Sequence, residues 1–529
     1  MPTIPSRAVF AVSAALAAFS ATGAPDARPE AGEPLRGLEW RLPAQAKMEG
    51  ERLVVEIPPD DAERFVHCEA DLDLSGIFGA GRGVCVSGLV RGSGVTPPDK
   101  PWNGVKFMLR YVEDSSGRVR WPGAGFPESD FGWTEGKVRI GGLVAPGGIR
   151  GGKATLVLGL QGCTGHVEFD LSSLRLLAED SGVPRVNEDW TVHYPEGGLP
   201  AGPLRGAQLP GRPTTEDDIA TLASWGATMA RFQITRNWNK INDNRDVEEY
   251  RRWIDWRLDN LVDVLGWAQE RGLRICVDLH QPPGGKRGAF RPEEMNMFHE
   301  DEYAAEFVET WRRIASRVKG HPALYGYDLV NEPVQRGPVK HDYWTLQRLA
   351  AEAVREIDPV TPVVVESNLS AGAAAFSYLS PLAMDNVIYE VHMYEPLEFT
   401  HQGIGGRPRE FVDGQAVVWP GRWQGTAWDR GFIRRAFEPV LEFQRKHKCR
   451  IYVGEFNAVC WAPGAEKYVA DVIALCEENG WDWTYHAFRE APFWSVEHDG
   501  DGPDSVVPSA DNPRRRTILA ALRGAMARE

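Results

Sequence analysis

Positive charge is the first shortage in this chain. Lys and Arg number 59 against 74 Asp and Glu, a net charge of -15. No basic field is available to hold a phosphate backbone, so nucleic acid is excluded as a partner. Cysteine is scarce as well. The seven residues Cys68, Cys85, Cys163, Cys276, Cys449, Cys460 and Cys476 lie far apart, with no C-x-x-C pair and no Cys/His cluster at zinc spacing, which argues against a structural metal. Their odd number leaves at least one thiol without a partner in the same chain, and the spacing assigns no pairs. Long apolar runs are nearly absent. The only one is Ala8 to Phe19, broken by Ser13, preceded by Arg7 and followed by the small residues Ala21 to Ala24. A run of about 12 residues is too short to cross a hydrocarbon core of roughly 30 Å but fits the apolar segment of an export signal. Residues 1–24 therefore read as a signal peptide, with a mature chain starting near Pro25 that is secreted, extracellular or periplasmic, and free of the membrane once the signal is removed. A retained N-terminal anchor is the alternative.

What remains is an ordinary folding composition, 43% hydrophobic and 25% charged, so disordered, collagen-like and coiled-coil readings all fail. At 529 residues the chain is long enough for about two to four domains. Its one compositional excess is 19 Trp beside 55 Gly and 38 Pro, flat indole faces among many tight turns, a combination suited to sugar rings.

Two regions differ in periodicity. Over residues 37–180, Val105, Phe107, Leu109 and Tyr111 alternate with polar or small neighbours, as do Val167, Phe169 and Leu171. That period of two, in several short strands, predicts an all-β sandwich of the jelly-roll type. The polar stretch Glu179 to Pro184 marks a boundary. From 185 to 529, helix and strand patterns alternate. Thr215 caps a helix that ends at Gly226, a second helix stops at Gly272, and further helices fall near 303–319, 341–357, 430–447, 465–479 and Arg514 to Met526. Eight strands are predicted: Leu204–Leu209, Ala227–Ile234, Leu273–His280, Leu324–Asn331, Pro362–Glu366, Val387–Tyr394, Arg450–Glu455 and Trp483–Phe488. This α/β order fits a (β/α)8 TIM barrel, with a doubly wound sheet as its rival.

Polar groups collect at the carboxyl ends of these strands, where a barrel gathers its active-site groups. The ends read Arg231, Asp278-Leu279-His280, Asn331-Glu332-Pro333, His392-Met393-Tyr394, Glu455 and His486. One acidic residue at a strand end is commonly a helix cap, whereas six polar ends in register are a site. Glu332 and Glu455 stand out. Two facing carboxyls divide the work of acetal cleavage, one ionised to attack and one protonated to release the leaving oxygen, with neither metal nor cofactor.

At these residues, over about 200–495, the chain resembles the retaining (β/α)8 glycosidases, most closely glycoside hydrolase family 5, the cellulase-like family. The resemblance rests on Asn331-Glu332-Pro333, Glu455 in Val453-Gly454-Glu455-Phe456, His392-Met393-Tyr394, Arg231 and His280, five short strings in the family's order. It implies Glu332 as acid/base and Glu455 as nucleophile. Arg231 and Tyr394 would hold Glu455 ionised, Asn331 would bind the sugar 2-hydroxyl, and His280 and His392 would bind hydroxyls or tune the acid. It also implies a carbohydrate substrate, β-glucan or a related polysaccharide or oligosaccharide, cleaved by double displacement. One departure concerns strand eight, where the family usually supplies a Trp platform and this chain reads His486, leaving Trp494 in the next loop as a substitute.

The long segment Glu395 to Trp428 carries Trp419, Trp423 and Trp428, and reads either as a cleft wall with sugar platforms or as staples against the sandwich. Trp238 and Trp461 are weaker platform candidates. In the sandwich, Trp102, Trp121, Phe131 and Trp133 suit either a carbohydrate-binding module or packing against the barrel. A catalytically silent carbohydrate-binding or scaffold protein is the alternative to the enzyme, disfavoured by the joint retention of Glu332 and Glu455. Oligomeric state is open.

Overall fold

The computed structural model describes residues 32–524, apart from 62–63, 76–81, 99, 101, 114–118, 141–148, 181, 197, 201, 237–243, 287–293, 336, 411–413 and 424. The expected export segment, Trp238 and the end of the last helix at Met526 lie outside the described residues. Among the described residues no helix is long and apolar enough to cross a membrane, and the seven cysteines are all unbridged, six of them buried.

The first region is built from eight main strands: β1 (Arg52–Ile57), β2 (Phe65–Asp73), β3 (Arg82–Ser93), β4 (Gly104–Glu113), β5 (Val119–Arg120), β6 (Phe131–Ile140), β7 (Ile149–Gln161) and β8 (Gly165–Asp180). They form two antiparallel sheets ordered β1-β8-β3-β6 and β2-β7-β4-β5, with short N-terminal strands added at the edges. Chain and sheet order together are those of a jelly roll. The alternating residues explain the packing. Val105, Phe107, Leu109 and Tyr111 of β4 lie beside Leu156, Leu158 and Leu160 of β7, and this surface packs with Val167 and Phe169 of β8 from the other sheet in one apolar core.

The second region is a closed parallel barrel of β9 (Arg205–Gln208), β10 (Met229–Gln233), β11 (Arg274–Asp278), β12 (Leu324–Asp328), β13 (Val363–Glu366), β14 (Val387–Met393), β15 (Arg450–Phe456) and β16 (Asp482–Tyr485), each paired with the next and β16 returning to β9. Helices α1 (Glu216–Trp225), α2 (Val247–Glu270), α3 (Asp301–Val318), α4 (Tyr343–Ile357), α5 (Arg430–Ala436), α6 (Glu438–His447), α7 (Ala465–Asn479) and α8 (Pro513–Leu522) belong to this region. The Thr215 cap is a reciprocal capping box with Asp218, and Gly226 closes α1 in the left-handed conformation. The single helix expected over 430–447 is two. Pro439, which has no N–H to continue a helix, stands in the first turn of α6. The segment between the regions packs on the barrel: Val183 and Val192 enter its core, and Tyr194 donates to the Val387 carbonyl at 2.6 Å.

Candidate active site

Strand alternation stacks the barrel interior in layers. Met229, Cys276, Tyr325, Val364, Ile388 and Tyr452 form an apolar plug. Two residues further along the same strands come Arg231, Asp278, Glu366 and Glu390, and on two strands another step of two brings His280 and His392. β15 changes phase. Val391 pairs with Val453 but His392 pairs with Glu455, so Gly454 is a bulge that sets Glu455 beside His392. Only glycine fits there, because a Cβ at 454 would come within 1.6 Å of Glu390 Oε1.

Arg231, fully buried, is the hub. It donates to Asp328 Oδ2 from Nε (2.9 Å) and Nη2 (2.7 Å), to Glu366 Oε1 (2.8 Å), to Glu455 Oε1 (2.8 Å), to Asn331 Oδ1 (3.1 Å) and to Gln208 Oε1 (2.7 Å). Asp278 and Glu390 each approach it to 3.3 Å. Five carboxylates around one guanidinium cannot all be ionised. Burial first, and then the neighbouring Asp328, pushes the Glu366 carboxyl well up. Glu390 is also raised by burial, against the pull of Arg231, with the Asp328 and Glu366 charges adding to the rise. Asp328 rises from 3.8 to about 6, again chiefly by burial, against the pull of Arg231. Asp328 Oδ1 and Glu390 Oε2 are buried with no donor among their neighbours in the described residues.

Glu455 behaves oppositely. Burial raises its pKa, but His392, His486, Arg231 and His280 outweigh that and hold its carboxyl well below the usual range, so it is an anion. Tyr394 Oη donates to its Oε2 at 3.0 Å. Glu332, by contrast, has a side chain 22% exposed against 6% for Glu455, so it faces the opening. Its backbone sits in the left-handed region (φ 50°), held there by its N–H donating to Glu366 Oε2 at 2.7 Å. His392 lies between the two. Its Nδ1 is 3.1 Å from Glu332 Oε1 and 3.8 Å from Glu455 Oε2, and its Nε2 is 3.2 Å from Glu390 Oε1. One oxygen of Glu332 and one of Glu455 lie within 4.8 Å of each other. An anion and a second carboxyl at that spacing can attack and protonate the two sides of one acetal.

The structure thus brings Arg231, His280, Asn331, Glu332, His392, Tyr394, Glu455 and His486 to one barrel mouth. His280 Nδ1 lies 2.7 Å from Asp278 Oδ2. His486 Nε2 lies 3.3 Å from Glu490 Oε2. Burial lowers its pKa, yet Glu455, Glu490 and Glu332 together raise it above the ordinary value. Trp494 lies beside Tyr394 (5.7 Å) and His486 (5.5 Å) but is 7% exposed, a buttress with little open face. Asn457 secures this corner, its Nδ2 donating to the Trp494 carbonyl at 2.8 Å and to that of His486.

Two expectations need correction. Trp419 and Trp428 are buried, so they are neither sugar platforms nor staples against the sandwich. Trp419 packs on Phe399 and Tyr468 and donates to Asp471 at 2.9 Å, and Trp428 meets Trp423. Trp461 is buried too, donating to the Gln402 carbonyl. Sequence reasoning missed Glu366, Glu390 and Asp328 as site residues. Their signal was position: each is a lone acid within or at the end of an apolar strand run, and Glu390 lies two residues before His392, as Asp278 lies two before His280. Among the described residues three groupings of the site's carboxyls, two of them with His392, have ligand atoms mutually within 4.8 Å, but the Arg231 cation already sits among the two deeper ones and would repel a metal ion.

The Cellulase (glycosyl hydrolase family 5) profile matches residues 197–491. Among curated proteins, Endoglucanase C of Acetivibrio thermocellus is 25% identical over 295 residues, 51% of this chain and 83% of that protein. Cellodextrinase A of Ruminococcus flavefaciens is 25% identical over 245 residues, 46% of this chain and 68% of that protein. Among solved structures, Thermotoga maritima Cel5A in complex with cellobiose is 24% identical, covering 60% of this chain and 96% of its own, with a TM-score of 0.44.

Proposed function

The chain belongs to glycosyl hydrolase family 5, and on that premise we propose that it cleaves β-linked glucan, or a related polysaccharide or oligosaccharide, with retention of anomeric configuration. Glu455 is the nucleophile and Glu332 the acid/base. The observation that carries this reading is the spacing of the pair, with oxygens within 4.8 Å. Retaining enzymes place their carboxyls about 5 to 5.5 Å apart, whereas inverting enzymes need about 6.5 to 9.5 Å to admit a water.

In the first step the Glu455 carboxylate attacks the anomeric carbon. The bond to the leaving oxygen breaks, and that oxygen takes the Glu332 proton, leaving a glycosyl ester on Glu455. In the second step Glu332 removes a proton from water, whose oxygen displaces Glu455 and restores both side chains. Arg231 and Tyr394 keep Glu455 anionic and aimed through charge-assisted hydrogen bonds. The names of the similar endoglucanase and cellodextrinase support a β-glucan substrate.

Replacing Glu455 tests this. Glu455→Gln should lower turnover of an activated aryl β-glycoside by at least about 10³-fold with unchanged circular dichroism. Glu332→Ala should slow substrates with poor leaving groups far more than activated ones. Undiminished turnover in Glu455→Gln would remove the nucleophile assignment, and absence of turnover on every sugar by the parent, with binding intact, would favour a carbohydrate-binding scaffold.

A further inference from the structure

The sandwich carries a second cleft, remote in sequence from the barrel mouth. It has a volume of about 690 Å³ and lies on the outer side of the β2-β7-β4-β5 sheet, between that sheet and the chain segments around Trp102 and Trp121. Five aromatic side chains are prominently exposed among the described residues, and three of them line this one cleft: Phe65 at 57%, Trp102 at 67% and Trp121 at 47%. Exposed rings of that size are costly in water, and their convergence marks a binding surface. The four sandwich rings singled out from the sequence separate here. Phe131 stacks on Phe126, and Trp133 lies under Arg91 and Arg52 of its own sheet, so both are structural. Trp102 and Trp121 each carry a cation over one face, Lys100 at 5.6 Å and Arg110 at 5.5 Å. The cation steadies the ring and leaves its second face for a ligand.

Between the rings the floor is polar and pre-wired. His67 Nε2 lies 3.1 Å from Gln161 Oε1, Gln161 Nε2 donates to Asn103 Oδ1 at 2.6 Å, and the Lys106 ammonium donates to the Trp102 carbonyl. Flat apolar faces alternating with fixed amide, imidazole and ammonium groups match a pyranose, which is apolar on its axial C–H faces and ringed by hydroxyls. We infer that this cleft, built on Trp102, Trp121 and Phe65, is a second glycan-binding site that holds a neutral β-linked glycan chain while the barrel cleaves it. The ligand class rests on the glycosidase reading of the barrel, whereas the site itself does not. Two sites on one chain raise the local concentration of polymer at the second once the first is engaged, so the gain falls on long chains and not on short ones.

Affinity gel electrophoresis of the full chain in the Glu455→Gln background, through gels holding mixed-linkage β-glucan, glucomannan or xylan, tests the inference. The parent should be retarded by at least one polymer, and Trp102→Ala/Trp121→Ala should weaken that retardation about tenfold with unchanged thermal unfolding. Trp102→Ala alone, at the most exposed ring, should give a smaller loss in the same direction and stands in if the double variant folds poorly. With Glu455 intact, the same variants should hydrolyse an aryl β-glycoside at the parent rate. Equal retardation of parent and variant, or no retardation of the parent by any polymer, overturns the second site. Loss of aryl-glycoside turnover in the parent would instead overturn the catalytic reading and leave the retardation result standing.

Discussion

The two β-structures of this chain keep their charges in opposite places. In the sandwich the apolar cluster between the sheets contains no charged residue, and ion pairs keep at least one partner in reach of solvent, as between Arg91 and Glu168 at 2.6 Å or Arg41 and Asp71 at 2.8 Å. In the barrel one guanidinium and four carboxyls, Asp278, Asp328, Glu366 and Glu390, are completely shut off from solvent a few ångströms below the mouth. Surface pairs contribute little because water already solvates both partners. Buried ones cost several kcal/mol per ion unless every partner is present. The barrel therefore sacrifices stability at its floor, and what it gains is an anionic Glu455 and a fixed Glu332, because Arg231 bonds the first and Glu366 holds the backbone of the second.

Arg231→Met is the severest way to break that contrast. It leaves four buried carboxyls without their cation, and the expected loss is about 3 to 5 kcal/mol of folding free energy together with turnover. Urea denaturation measures it, and the deficit should shrink as pH falls and the acids are neutralised. Stability close to the parent at pH 7 would mean that the floor is not the charged cluster described.

Glu390→Gln sharpens the comparison from the other side. An amide copies a protonated carboxyl, keeping an oxygen towards Arg231 without the negative charge. The raised pKa of Glu390 means that the native state binds a proton the unfolded chain releases above its ordinary value of 4.5. Its contribution is thus intact below about 4.5 and erodes as pH rises through the raised value, in the same sense as Asp328 between 3.8 and about 6. The variant should be as stable as the parent at low pH and should gain on it progressively as pH rises above about 4.5 towards the raised value, read as melting temperature against pH. A constant offset at every pH would place no proton on Glu390.

How much of this was legible beforehand follows from what each residue needs. The period of two fixed which residues of β4 and β8 enter the sandwich core, and alternation with helices placed all eight barrel strands and hence Glu332, His392 and Glu455 at one end. Such patterns are local, and a strand carries them whatever it packs against. Glu366 escaped notice because it looks like the polar close of an apolar run and Glu390 because it stands alone inside one, and the meaning of each arises only when Arg231 arrives from another strand. Trp419 and Trp428 were misread for the same reason: a tryptophan in a long loop does not disclose whether Phe399 and Tyr468 will cover it. The Gly454 bulge, which turns Glu455 inward, is likewise a relation between strands and not a property of one.

The mildest test lies on the sandwich. Glu168 receives Arg91 at 2.6 Å and Arg52 at 3.3 Å, the same carboxylate-guanidinium chemistry as the barrel floor. Both arginines are open to solvent, with side chains 39% and 51% exposed, so either regains hydration when its partner is removed. Glu168→Gln should therefore cost only about 0.2 to 1 kcal/mol, with the difference fading further in high salt. Arg231→Met should keep most of its penalty in the same salt, because ions cannot reach the floor to screen it. If Glu168→Gln matched Arg231→Met in size or in salt resistance, burial would not be what separates the two regions, and the cost of the barrel cluster would need another cause.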